Sequence, residues 1–262
     1  MGINRRGFIK LAGLTTAVGL GGKKVLSTVT DEDSLAIQPV SQKLPGSLAG
    51  NRWAMVIDMT KCKSDEGCTV CSDTCHKIHN VPKFDNPKDE VKWIWKQDFE
   101  GAFPGHDHKY LKEEIRHSHP MILCNHCDNP PCVKVCPTKA TWKREDGIVM
   151  MDMHRCIGCR YCVVGCPYGS RSFNWRDPRP HIAEIDKEFP TRTRGVVEKC
   201  NFCAERLARG KIPACVETCP EKAMIFGDLD DAESEVRKVL AESHTIRRKP
   251  ELGTNPEIYY IV

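Results

Sequence analysis

Cysteine dominates the chemistry available to this 262-residue chain: there are sixteen, in four groups of four with none left over. The groups are Cys62, Cys68, Cys71 and Cys75; Cys124, Cys127, Cys132 and Cys136; Cys156, Cys159, Cys162 and Cys166; and Cys200, Cys203, Cys215 and Cys219. The third reads C-x2-C-x2-C-x3-C and is closed by Pro167. In that spacing three thiolates from one tight loop, opened here by Ile157-Gly158, wrap three corners of a 4Fe-4S cube. The last cysteine points away toward a second cube, so two such runs exchange their final ligands. The other groups keep the final x3 step and vary the rest. Four residues, Asp128 to Pro131, separate the middle cysteines of the second group, and eleven, Ala204 to Ala214, those of the fourth. Pro137, Pro167 and Pro220 follow the last cysteine of groups two, three and four. The first group departs twice, with five residues between Cys62 and Cys68 and with His76 where the others have proline.

Disulfides, zinc and haem compete with this reading, and each fails on spacing. Exported chains often carry even cysteine counts as disulfides, but sixteen in 262 residues is below the density of a disulfide scaffold, and a three-plus-one rhythm has no disulfide rationale. Zinc takes two separated C-x2-C pairs into one tetrahedral site and leaves the tight triple of group three unexplained. Covalent haem needs C-x2-C-H, whereas three residues separate Cys71 from Cys75 before His76. Iron-sulfur chemistry is the expectation. A zinc-stabilised binding module is the alternative that elemental analysis separates, about 16 iron against about four zinc per chain.

The elements that must position these thiolates are short. Ala140 to Lys143 and Ile148 to Met151 flank a turn ending in Gly147 and predict a hairpin between groups two and three. Trp53 to Asp58 before group one and Ala223 to Phe226 after group four are further strand candidates. Only 19 residues separate groups two and three, against 48 and 33 in the other two intervals. That pairs the second group with the third and, by elimination, the first with the fourth. The 48-residue interval holds Val91 to Trp95 and Glu100 to Gly105, too long for a bare loop, so strands of its own or a covering role are expected. Asp230 to Ser243 has helical spacing at Val236, Val239 and Leu240. The last residues, Ile258 to Val262, are β-prone and can pair either with a neighbouring subunit's sheet or with their own.

Composition bounds the function. Hydrophobic residues make up 40% only when the cysteines are counted; the remainder is a thin conventional core, so metal binding is expected to supply folding energy. No apolar run reaches the roughly 18 residues that cross a bilayer. The formal charge of +4 comes from Arg5, Arg6, Lys10, Lys23 and Lys24, without which the chain stands at −1; no basic face is left for nucleic acid. Nucleophile motifs, phosphate loops and nucleotide fingerprints are absent. His106 and His108 offer metal donors in what reads as a surface loop. Lys61, Lys134, Lys139, Arg155, Arg160, Arg171 and Lys199 lie beside the cysteine runs and can balance their charge. At the start, Asn4-Arg5-Arg6-Gly7-Phe8-Ile9-Lys10 and the uncharged stretch Leu11 to Gly22 resemble a twin-arginine export signal.

The four-quartet layout resembles the four-cluster electron-transfer subunits of dimethylsulfoxide, polysulfide and formate oxidoreductases. Closer still, Cys124 to Cys132, Asp152 to Arg160, and Leu252 to Pro256 with Tyr259-Tyr260 look like the O subunit of the Dsr membrane complex, also described as an iron-sulfur subunit of Hdr-like menaquinol oxidoreductase. The resemblance spans about residues 51–262. It implies an α+β fold of two bacterial-ferredoxin-like modules, short hairpins plus short helices around up to four 4Fe-4S clusters, with an inserted loop and strand region and a C-terminal helix and tail. The parts are then a twin-arginine-type signal or anchor (1–30), ferredoxin-type motif one (51–81), the insertion (82–114), motif two (115–146), motif three (147–176), cysteine motif four (195–229) and the helix and tail (230–262).

Carried across by resemblance, one cluster falls to Cys62, Cys68, Cys71 and Cys219, and its partner to Cys200, Cys203, Cys215 and Cys75. A third falls to Cys124, Cys127, Cys132 and Cys166, and a fourth to Cys156, Cys159, Cys162 and Cys136. The implied role is a one-electron relay on the outer face of the cytoplasmic membrane, within a hetero-oligomeric complex and with no substrate chemistry of its own. Its implied partners are an integral-membrane quinol-interacting subunit and a redox protein such as a multihaem cytochrome c. The alternative within the superfamily is the electron-transfer subunit of an exported molybdopterin oxidoreductase.

Overall fold

The computed structural model describes residues 46–106 and 108–262; the export-signal segment expected over 1–30 lies outside the described residues. Its largest sheet is built on β1 (Trp53–Asp58), five apolar residues and a closing Asp58, buried along its whole length. Alternation explains how a single strand can be buried on both faces. Trp53, Met55 and Ile57 turn into the main core, while Ala54 and Val56 meet Leu229 and Val236 on the other side. Each fully buried Met, Val or Ile contributes about 1.5–3 kcal/mol.

The other strands are β2 (Ile94–Lys96), β3 (Met121–Leu123), β4 (Thr141–Lys143), β5 (Val149–Met151), β6 (Ser172–Phe173), β7 (Val197–Glu198), β8 (Met224–Asp228), β9 (Thr245–Ile246) and β10 (Ile258–Ile261). In the large sheet their order is β8-β1-β10-β9. β1 runs antiparallel to β8, with Met55 opposite Phe226, and parallel to β10, with Ile57 opposite Tyr260. The β-prone tail therefore pairs inside its own sheet. β2–β3, β4–β5 and β6–β7 form separate antiparallel pairs.

Helices are brief. They are α1 (Val70–Ile78), α2 (Phe99–Ala102), α3 (Glu113–Arg116), α4 (Pro131–Lys134), α5 (Tyr161–Val164), α6 (Ala204–Leu207), α7 (Ala214–Glu217) and α8 (Glu235–Glu242). Four of them carry cysteines, and proline decides their length. After α4, α5 and α7 come Pro137, Pro167 and Pro220, which lack an N–H and push the preceding residue out of the helical region; each of these helices has four residues. α1 has His76 at the equivalent point and continues through Cys75 for nine residues.

The insertion supplies a strand of its own, β2, paired in register with β3 (Trp95 opposite Ile122). Its aromatics Trp93, Phe99 and Phe103 join one core with Cys71, Cys75, Cys200 and Cys215. A buried ion pair anchors the side of this core: Arg192 meets Glu198 at 2.5 Å with both side chains 1% exposed. Glu198 also accepts from Trp93 Nε1 at 3.0 Å and Asn174 Nδ2 at 2.6 Å.

Candidate metal centres

The four cysteine groups share one backbone device. The residue before the second cysteine is left-handed in every case: Gly67 (φ 92°), His126 (42°), Gly158 (72°) and Phe202 (55°). The third cysteine is then the second residue of a helix: Cys71 in α1, Cys132 in α4, Cys162 in α5 and Cys215 in α7. A left-handed step followed by a helical turn reverses the chain around a point, and the first-turn N–H groups of the helix have no intrahelical partner. The irregular groups reach the same result by folding their extra residues locally. Between Cys62 and Cys68, the Gly67 N–H donates to Ser64 O and the Cys68 N–H to Lys63 O, both at 3.1 Å. In the fourth group α6 takes up the eleven-residue gap, and the Ala214 N–H returns to Cys203 Sγ at 3.5 Å.

These loops bring together sulfurs from distant parts of the chain. Cys62, Cys68, Cys71 and Cys219 line one cavity of about 340 Å³. Cys124, Cys127, Cys132 and Cys166 line another of about 320 Å³. Cys75 is buried, with Cys200, Cys215 and Cys203, and after them Cys71, as the charges that face it. Cys156 and Cys162 pack beside Cys132 in a smaller core, and the Cys136 Sγ lies 3.7 Å from the Thr138 hydroxyl. Helix α1 packs on α7 and α4 on α5. Groups one and four thus meet, as do groups two and three.

The donor set fits an iron-sulfur core. All sixteen cysteines are free. Burial, with neighbouring sulfurs adding to it, pushes the Cys71 thiol up to about 12 and raises Cys75 and Cys215 well above the ordinary value. Thiols so placed give up their protons only to a metal, which stabilises the thiolate. Spacing decides which metal. Among the described residues, the only three metal-capable donors within 4.8 Å of one another are on His79, Cys203 and Glu205. Four sulfurs on a single zinc at 2.3 Å would stand about 3.8 Å apart. The sulfur sets are held wider than that, which suits a polynuclear core. Backbone N–H groups aim at sulfur as well: Phe202 at Cys200 (3.4 Å) and Ala223 at Cys219 (3.3 Å). Such hydrogen bonds tune a cluster's potential.

Of the seven cations beside the cysteine runs, five are surface groups. Lys61 pairs with Asp58 at 2.9 Å, Arg155 with Asp152 at 3.4 Å, and Arg160 lies over the Trp175 ring, while Lys134 and Lys139 are exposed. Arg171 and Lys199 are different, being buried. Arg171 Nη2 donates to Cys132 Sγ at 3.0 Å and Nη1 to Thr141 Oγ1 at 2.9 Å. Lys199 Nζ donates to Cys200 O at 2.5 Å and to Val149 O.

Two histidines at the centres were not singled out by the sequence. His126 lies flat on Phe202, with ring centroids 3.7 Å apart, and its Nδ1 accepts from the Val149 N–H at 3.1 Å. Burial holds it neutral, and the nearby Lys199 and Arg171 work in the same direction. His79 stacks on Trp93 and bonds Glu205 Oε1 at 2.9 Å. The i, i+4 step from Cys75 within a helix that lacks a proline stop was the available signal for His79. His106 and His108 join no three-donor cluster among the described residues; His108 Nδ1 accepts from the Tyr110 N–H at 3.2 Å.

Sixteen thiols gathered in this way define a 4Fe-4S electron-transfer protein. The 4Fe-4S dicluster domain family matches residues 118–181 and 184–229, which hold groups two, three and four. The chain is 41% identical to the Hdr-like menaquinol oxidoreductase iron-sulfur subunit 1 of Archaeoglobus fulgidus, over 80% of this chain and 82% of that protein. It is 35% identical to the menaquinone reductase iron-sulfur cluster-binding subunit of Nitratidesulfovibrio vulgaris, over 80% and 88%. It is 36% identical to the iron-sulfur subunit of the arsenate respiratory reductase of a Shewanella species, over 80% of this chain and 96% of that one. The chain belongs to this family of iron-sulfur electron-transfer subunits of oxidoreductase complexes. With that, the zinc-module alternative falls away.

Proposed function

We propose that this chain is the electron relay of a menaquinol-linked respiratory complex, exported by the twin-arginine route and seated on the outer face of the cytoplasmic membrane. It passes single electrons between a quinol-interacting membrane subunit and a redox partner such as a multihaem cytochrome c. Two ferredoxin-like modules carry the relay, one from groups one and four and one from groups two and three. The proposed ligand sets are Cys62, Cys68, Cys71 and Cys219; Cys75, Cys200, Cys203 and Cys215; Cys124, Cys127, Cys132 and Cys166; and Cys136, Cys156, Cys159 and Cys162. When bound, 4Fe-4S clusters supply reversible one-electron redox chemistry.

The observation that carries this reading is that Cys219 shares a cavity with group one and Cys166 shares one with group two. A last cysteine lent to the partner group is the signature of paired cubes. The chain's own residues then enclose most of the thiolates, aim N–H groups at sulfur, and place cations where charge accumulates. Group three is the thinly covered end: Ile157, Tyr161 and Val164 are 68, 62 and 86% exposed. An apolar exposed rim beside cysteines favours the approach of another protein.

The menaquinol name of one relative and the menaquinone name of another favour this complex. The similarity to the arsenate respiratory reductase protein favours a second reading, service to a large molybdopterin-containing reductase. Capture of the native assembly with identification of its components separates the two. An anaerobic preparation should hold about 16 iron per chain, and Cys159→Ser should remove one cluster's paramagnetic signal and interrupt electron flow. A colourless protein, silent in both redox states, would refute the relay.

A further inference from the structure

Lys199 and Arg171 are buried, and among the described residues their side-chain bonds go to carbonyl oxygens, a hydroxyl and sulfur rather than to a carboxylate. An uncompensated buried cation is costly, so the anions facing each one matter. For Lys199, where burial and the neighbouring Arg171 work against the charge, they are the thiolates of Cys124, Cys200 and Cys132, which belong to two different ligand sets. For Arg171 they are Cys132, Cys162 and Cys124, which again belong to two sets, with the Cys132 sulfur in direct contact at 3.0 Å. Each cation thus stands at a junction, Lys199 between the Cys75 and Cys124 sets and Arg171 between the Cys124 and Cys156 sets. The Cys75 set has the opposite kind of neighbour as well, because the Glu205 carboxylate faces Cys200 and Cys203.

An added electron is stabilised by a nearby fixed positive charge, and the more so in a dry interior. Resting on the relay reading and its ligand sets, we infer that Lys199 and Arg171 are positioning residues that shape the potential profile along the chain. Lys199 raises the centres of the Cys75 and Cys124 sets, and Arg171 those of the Cys124 and Cys156 sets. The Cys124 set is flanked by both cations and lies more positive than the Cys75 set, where Lys199 is opposed by Glu205, itself bonded to His79, and where Arg206 is paired away with Glu217. The electron therefore meets a built-in step where it crosses from one module to the other. A purely structural role, in which Arg171 pins Thr141 and Lys199 ties β5 to group four, would leave the potentials unmoved.

The test is a redox titration of the full chain in its native complex, followed by electron paramagnetic resonance. Signals are assigned with Cys68→Ser, Cys203→Ser, Cys127→Ser and Cys159→Ser, each expected to remove or alter one. In the unaltered protein the Cys124 centre should titrate above the Cys75 centre. Lys199→Gln should lower the Cys75 and Cys124 centres at least tenfold in reduction equilibrium, 59 mV for one electron, and leave the Cys62 centre within threefold. Arg171→Gln should do the same to the Cys124 and Cys156 centres, and Arg171→Lys should restore most of the loss. If the four serine variants fail to map onto four signals, the relay reading falls and this inference with it. If they do map, yet the cation variants move nothing or move all four signals alike, only the inference falls. The order in the unaltered chain decides the matter even where a variant does not fold, and a Cys75 centre above the Cys124 centre overturns the inference.

Discussion

Replacing Gly158 by alanine tests whether the cysteine loops are sterically preset. Gly158 precedes Cys159 at φ +72°, and a Cβ there would lie 2.5 Å from Gly195 O and 3.3 Å from Phe173 Cε2. The left-handed conformation alone costs a non-glycine residue about 1–2 kcal/mol. The clash adds about 1–3 kcal/mol by the usual cost of overpacking, since the opposing group is backbone that cannot rotate aside. It is tied down too: the Gly195 N–H donates to Asn174 O at 2.8 Å, and the Asn174 N–H to Val196 O at 3.0 Å. The sum is about 2–5 kcal/mol, or roughly 4–20 °C in thermal midpoint for a chain of this size. Gly169→Ala is the internal control, because Gly169 has φ +65° and nothing within 4 Å of its would-be Cβ. It carries the conformational cost without the clash. Thermal midpoint and iron content of both variants should show Gly158→Ala clearly worse, with the Cys156 set losing occupancy first. Equal losses in the two variants would refute the contact argument.

Three further outcomes are expected. Arg192→Met leaves Glu198 buried without its cation and should destabilise by about 3–5 kcal/mol, read by denaturation; the double variant with Glu198→Gln should recover much of it. His76→Pro removes an N–H from the middle of α1 and should cost about 3 kcal/mol, with loss of helical circular dichroism. Asp58 is held below its ordinary value: burial works to raise it but is outweighed by hydrogen bonds from the Thr60 hydroxyl at 2.6 Å and from Lys61. Its folded-state depression means that the stabilising contribution is present above the ordinary carboxylate value and lost as pH falls through the lower folded one. The gap in thermal midpoint between the native chain and Asp58→Asn should therefore hold from pH 7 to about pH 5 and narrow below about pH 4.

Local elements with strong signals were legible in the residues. β1 matches Trp53 to Asp58, and the hairpin strands start one residue later than expected at both Thr141 and Val149. Met224–Asp228 starts one residue after the expected Ala223 and runs two beyond Phe226, because pairing with β1 extends it to Trp53. The expected helix from Asp230 shrinks to Glu235–Glu242, as Asp231 spends its side chain on the Glu233 N–H in a turn. β6, β7 and β9 have two residues each and no periodicity to read. At the centres, spacing identified the thiols but not their surroundings. Nearness in sequence to a cysteine does not separate Arg171 and Lys199 from Lys134 and Lys139; burial does, and burial is set by chain segments far away in sequence. The same holds for His126 on Phe202, a contact across 76 positions that only the meeting of groups two and four creates.

The order of strands in the large sheet has a consequence for biogenesis. β1 emerges from the ribosome near residue 58, yet its two neighbours are residues 224–228 and 258–261. At roughly 5–20 residues per second, it waits some ten to forty seconds for them. The β4–β5 hairpin closes over a five-residue turn and is complete long before. Synthesis thus leaves the cavity shared by Cys62 and Cys219 without one of its walls until residues 219–224 have been made, long after the thiols of the first group.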